Sequence, residues 1–127
     1  GRWWPNMDFA RGFNFAQDIG PNYLGGLMEN SARTAIHFSH RIGAIVVTLV
    51  VFYLVYRLLR IKQKSSSQWA IMLAFVLLLQ ISLGLSNVYW SLPLPVAVAH
   101  NAVGAMLLLT FVGLCHRFYT SHAVQAA

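Results

Sequence analysis

The stretch IHFSHRIGAIVVTLVVFYLVYRLL, residues 36–59, decides the fold. From Ile42 to Tyr56 it carries no charge and no proline, and Arg57 ends the run. Fifteen such residues fall short of the roughly 20 that a membrane-spanning helix needs. The span therefore takes in the preceding turn, which holds His37 and His40. Asn30 or Ser31 is the expected N-cap, with the first span over about 33–59. Beyond it, RLLRIKQKSSSQ (57–68) reads as a short basic loop with a Ser-rich centre. The second span, 69–90, has tryptophan at both ends, and its 21 steps of 1.5 Å cover roughly 30 Å, the hydrocarbon thickness. SLPLP (91–95) breaks that helix, and proline suits the first turn of the next. The third span is expected over about 94–118, with residues 121–127 as a short tail.

The whole composition agrees. Of 127 residues, 57% are apolar and only 9% charged, against about 25% charged in a soluble domain. A surface so poor in charge suits lipid rather than water. The fold class is therefore all-α and integral to a membrane, with three transmembrane helices. The net charge of +6 does not mark a nucleic-acid binder, because the basic residues sit at the ends of apolar runs rather than along an exposed stripe. Cys115 is the single cysteine, so no intrachain disulfide can form.

Residues 1–31 show no helical apolar period. Trp3, Trp4, Phe9, Phe13, Phe15 and Tyr23, interleaved with polar groups, read as an extracytoplasmic loop at the membrane interface. Asp8, Asp18 and Glu29 are the only acids and all lie here, read as solvated or capping carboxylates. No apolar core with a small-residue cleavage site occurs in residues 1–30, so no signal peptide is expected. A start at Gly1 rather than Met points to a processed product or part of a longer chain. The Arg57, Arg60, Lys62 and Lys64 cluster marks the cytoplasmic side by the positive-inside rule. The N-terminal loop and SLPLP then lie outside, and the tail after Arg117 lies inside.

Ionisable groups within a bilayer are costly and usually functional. His40 precedes Arg57 by 17 residues and His100 precedes Arg117 by 17. Spans one and three run the same way, so both imidazoles are expected roughly 25 Å above their cytoplasmic anchors. Two neutral imidazoles at one depth suit the axial positions of a haem iron. Gly43 and Ala44 follow His40 by three and four residues, while Ala97 and Gly104 flank His100 at three and four. Small residues on those faces leave room for a macrocycle, although they equally serve ordinary helix packing. Arg41 and Arg33 are candidates to pair with propionates. Asn87, near the histidine depth, is a candidate to orient a ligand from the side. Gln80, Ser82, Gly84 and Ser86 read as interhelical packing and hydrogen-bonding positions. His37 reads as a pocket-edge or interfacial group; a His37–His40–His100 zinc or copper site is weaker, lacking a carboxylate or thiolate at that depth. His116 and His122 lie at or beyond the cytoplasmic end and read as interfacial.

HFSHRIGA (37–44), QISLGLSNVYWSLPLPVAVAHN (80–101) and GRWWPNMD (1–8) together resemble the C-terminal half of the haem A synthase family, in order over nearly the whole chain. SLPLPVAVAHN is the most specific part. The resemblance implies eight transmembrane helices in two similar four-helix halves, and oxidation of a haem O ring methyl to the formyl of haem A for cytochrome oxidase. It implies a substrate haem and an essential glutamate in the N-terminal half. In the C-terminal half it implies a haem b held by two histidines, which match His40 and His100. His37 falls where the other half has the glutamate, so this half looks like the electron-transfer or structural side. The three spans then belong to a haem-binding four-helix bundle, and this chain alone is expected to be inactive. Beside the lipid bilayer itself, the resemblance implies as partners the N-terminal half of the enzyme and cytochrome oxidase assembly factors, in a bacterial or mitochondrial inner membrane. Some members carry a cysteine pair in an outer loop, and this chain has none. Two other readings stand beside it: a stand-alone bis-histidine haem anchor for a redox partner, and a haem-free membrane scaffold.

Overall fold

The computed structural model describes residues 5–14, 16 and 29–125, with side chains as far as Thr120. Trp3, Trp4, Phe15, Asp18, Tyr23 and the side chain of His122 lie outside the described part. Four helices occur in it: α1 (Phe9–Gly12), α2 (Asn30–Arg60), α3 (Lys64–Tyr89) and α4 (Leu94–Gln125). The last three are each long and apolar enough to cross a membrane. The chain falls into two compact units, Gly1–Val47 and Thr48–Ala127.

In the first unit, a segment expected to be loop contains the one-turn helix α1. Asp8 caps it, its side chain accepting from the Arg11 N–H at 2.9 Å. The Asp8 N–H donates to the Ser31 carbonyl at 3.1 Å, and Arg11 forms an ion pair with Glu29. Gly12 has to be glycine here, because a Cβ would stand 2.9 Å from the Ala32 carbonyl oxygen. Ile36 lies against the same position, and Ala32 and Ala35 are buried. Helix α2 begins at Asn30 itself, since the Arg33 N–H already donates to the Glu29 carbonyl at 3.1 Å. The start therefore lies slightly ahead of the expected cap.

In the second unit, one stripe from each long helix makes the core. Val51 and Leu58 of α2 meet Ala70, Leu73, Val76 and Leu77 of α3 and Val103, Leu107 and Leu114 of α4. Along each helix these positions recur at steps of three, four or seven residues, the spacing of a single helix face. Most other apolar side chains, Leu49, Phe75 and Leu109 among them, are exposed. In water that would be untenable; in lipid it is the expected outer surface. Arg57 and Arg60 close α2 with their guanidiniums over the rings of Tyr53 and Tyr56, each 5.7 Å from the centroid.

Helices α3 and α4 are joined by a tight reversal. Ser91 and Leu92 take φ values of 55° and 60°, at a cost of about 1–2 kcal/mol each for L-residues. The Leu92 N–H donates to the Asn87 carbonyl at 2.8 Å, and the Val96 and Ala97 N–H groups both donate to the Pro93 carbonyl at 3.0 Å. Pro93 thus supplies the acceptor that starts α4. Glycines set the packing distance along the pair. A Cβ on Gly84 would lie 3.1 Å from His100, on Gly104 3.2 Å from Gln80, and on Gly113 3.0 Å from Trp69. Positions fall along α3 as they rise along α4, which is an antiparallel register.

Candidate functional site

His100 lies on the packed stripe of α4, three residues before Val103 and seven before Leu107, and is half-buried. Its ring rests on the notch left by Gly84, with Cε1 the nearest atom to the missing Cβ. Across the interface, the Gln80 amide nitrogen stands 3.3 Å from His100 Nε2. That amide fits because Gly104, one turn beyond His100, has no side chain of its own there. The arrangement is reciprocal: a glycine on each helix receives the polar side chain of the other. Gln80, Gly84 and Asn87 share a face of α3 at steps of four and three. Gln80 Oε1 and Asn87 Oδ1 are buried without a hydrogen-bond partner among the described residues.

His40 lies in a different setting. It is exposed, as are Arg41, Ile42, Gly43, Ala44 and Val47 after it. A Cβ on Gly43 would find no atom within 4 Å. His37 is also exposed, and Arg33 is half-buried. Around His40 the helix presents an open apolar face broken by imidazole and guanidinium groups.

Gln80, read as an interhelical packing and hydrogen-bonding position, makes such a bond, and its partner is His100; what the sequence did not name was that partner. The missed signal was the pair of four-residue steps, Gln80 to Gly84 and His100 to Gly104. Ser82 and Ser86, expected to bond between helices, instead donate to the Leu78 and Ser82 carbonyls of their own helix, each at 2.8 Å. A serine hydroxyl reaches the carbonyl four residues back more readily than a neighbouring helix. His116 and Cys115 are exposed. Among the described residues no three His, Cys, Asp or Glu side chains gather into a metal-binding group.

Three membrane-crossing helices, with histidines placed inside the apolar parts of the first and third, define a helical membrane protein able to offer imidazole donors. Comparison with known proteins names the family: the chain belongs to the cytochrome oxidase assembly proteins, whose family model matches residues 1–112. A heme A synthase of Shewanella oneidensis is 41% identical over 112 residues, covering 88% of this chain and 33% of that protein. Heme A synthases of Rickettsia felis and Rickettsia massiliae are 37% and 34% identical, each covering 24% of its own length and 64% and 63% of this chain. The chain thus spans a quarter to a third of the length of these relatives. No solved structure matches it.

A haem asks for neutral imidazole nitrogens, a flat apolar bed and cations for its propionates. His40 stands beside the open face at Gly43 and Ala44, with Arg41 and Arg33 on the same helix. In the other unit, the His100 imidazole is half-buried with its Nε2 against the Gln80 amide. Taken singly, these donor types suit the group.

Proposed function

We propose that this chain is the haem-b-binding part of a haem A synthase, with His40 and His100 as the two iron ligands. Support comes chiefly from the family match, which runs through both histidines within residues 1–112. The open face beside His40 and the half-buried imidazole of His100 agree with it.

In this reading each side chain has a defined task. His40 and His100 each offer a neutral nitrogen lone pair. The missing side chain of Gly43 leaves the face beside His40 open, while that of Gly104 makes room for the Gln80 amide that meets His100. Arg41 and Arg33 hold carboxylates toward the outer membrane face by charge-assisted hydrogen bonds. Asn87 holds a polar contact at the same level. The apolar side chains along the spans exclude water. Haem iron, when bound, supplies a one-electron couple for electron transfer, or else serves structurally. The oxidation of haem O to haem A belongs to the whole enzyme, with the N-terminal half as this part's partner. The basic α2–α3 turn faces the cytoplasm, or the matrix in a mitochondrion.

The test is an absorption and pyridine haemochrome measurement on the detergent-purified chain. A low-spin haem b spectrum is expected, abolished by either His40→Ala or His100→Ala. A purified chain without haem, or a spectrum unchanged in both variants, rejects the reading.

A further inference from the structure

The reciprocal notch between α3 and α4 places a primary amide against the nitrogen that an iron ligand uses. Gln80 Nε2 lies 3.3 Å from His100 Nε2. The amide is held from two sides: its own helix fixes its origin, and the Gly104 notch fixes its tip, with 3.2 Å between that tip and a Cβ built on Gly104. The imidazole is held too, its Cε1 edge seated 3.1 Å from where a Gly84 Cβ would be. The amide presents its nitrogen, which can only donate, to Nε2, and in that orientation the contact favours one protonation pattern.

We propose that Gln80 is the positioning residue of His100, its amide N–H donating to Nε2 and holding the ring as the Nδ1–H tautomer. A neutral imidazole carries one proton, on one nitrogen only. An amide donor on Nε2 requires the lone pair there and sends the proton to Nδ1. That tautomer is the one a metal ligand needs when it binds through Nε2, because no proton has to leave first. Gln80 therefore keeps the ligand nitrogen deprotonated and occupied until a better partner takes it. Its interest for haem loading rests on the ligand reading of His100; the tautomer does not.

Proton placement on an imidazole is read directly by nitrogen NMR, independently of haem. The experiment uses the ¹⁵N-histidine-labelled, haem-free chain in detergent, with the His100 signal identified by its loss in His100→Ala. The wild-type ring is expected as Nδ1–H. Gln80→Leu removes the donor and should lower the ratio of Nδ1–H to Nε2–H several-fold. Gln80→Glu, a carboxylate that only accepts, should move the proton to Nε2. Gly104→Ala keeps both polar groups but displaces the amide, and should lower the ratio in the same direction by less. It also adds a good helix former, so it serves where a Gln80 variant fails to fold. A wild-type ring carrying its proton on Nε2 overturns the proposal, as does a ratio unchanged in Gln80→Leu and Gly104→Ala.

Haem titration of the same proteins separates the two readings. Several-fold weaker binding in Gln80→Glu than in wild type supports the proposal, because Nε2 must then shed a proton. A chain with the expected tautomer pattern that binds no haem rejects the ligand reading and leaves the role of Gln80 standing.

Discussion

His40 and His100 look alike in sequence, each inside an apolar span with a glycine three or four residues on, but the fold treats them differently. His100 is in phase with Val103, Leu107 and Leu114, the residues that α4 buries. Its ring is consequently half-buried, seated on Gly84 and met by Gln80. His40 stands on an exposed stretch of α2, and the glycine after it faces open space. A glycine beside one histidine is filled by a neighbour's side chain; beside the other it is vacant. Small residues near a membrane histidine can therefore serve helix packing, as Gly84 and Gly104 do around His100, or leave an open face, as Gly43 does after His40.

Loss of haem on replacing either histidine is the largest effect expected, and it treats the two sites as equals. Their glycines should separate them. Gly84→Ala puts a methyl 3.1 Å from the His100 ring, and an overpacked interface of that kind costs about 1–3 kcal/mol. Gly43→Ala meets nothing within 4 Å, so it should not destabilise, and the better helix former should add about 0.5–1 kcal/mol. Its haem affinity should nonetheless fall several-fold, because the methyl intrudes on the open face. Unfolding followed by circular dichroism in graded denaturing detergent, with haem titration alongside, measures both quantities. Equal destabilisation by the two substitutions would erase the distinction drawn between the sites.

Gly113→Ala provides the control within the same helix pair. Its methyl would stand 3.0 Å from the Trp69 ring, so the pair should lose about 1 kcal/mol of stability as the indole shifts. The site lies well along α4 from His100. Its nitrogen NMR signal should therefore keep the wild-type tautomer ratio, in contrast to Gly104→Ala. A changed ratio in Gly113→Ala would mean that any loosening of α3 against α4 moves the proton.

The spans were legible because a bilayer imposes one demand, a long apolar helix, and residues 33–59, 69–90 and 94–118 each meet it visibly. The Pro93 break was legible for a similarly local reason. Helix α1 was not: four residues cannot show a period, and α1 is held by Gly12 against Ala32 and by Asp8 against Ser31, contacts made across the chain. The Gln80–His100 contact was hidden for the same reason. Each partner stands out as polar in an apolar run, but matching them requires the register across the reversal at Ser91 and Leu92. Ser82 and Ser86 show the converse limit, since a hydroxyl can bond either way and only the backbone geometry decides.

The smallest effect expected tests what holds the first unit, the one that carries His40. Arg11 pairs with Glu29, and its Nε also lies 3.8 Å from Asp8, but the Arg11 and Glu29 side chains are 61% and 60% exposed. An exposed pair of this kind contributes about 0.2–1 kcal/mol and is weakened by salt. Glu29→Gln should therefore lower stability by less than about 1 kcal/mol, with the difference fading as ionic strength rises. Gly12→Ala should cost more, because its methyl would stand 2.9 Å from the Ala32 carbonyl oxygen. Limited proteolysis between α1 and α2, at low and high salt, ranks the two variants. Faster cleavage in Glu29→Gln than in Gly12→Ala would place the hold on charge rather than close contact, and would bring this unit closer in kind to the polar interlock around His100.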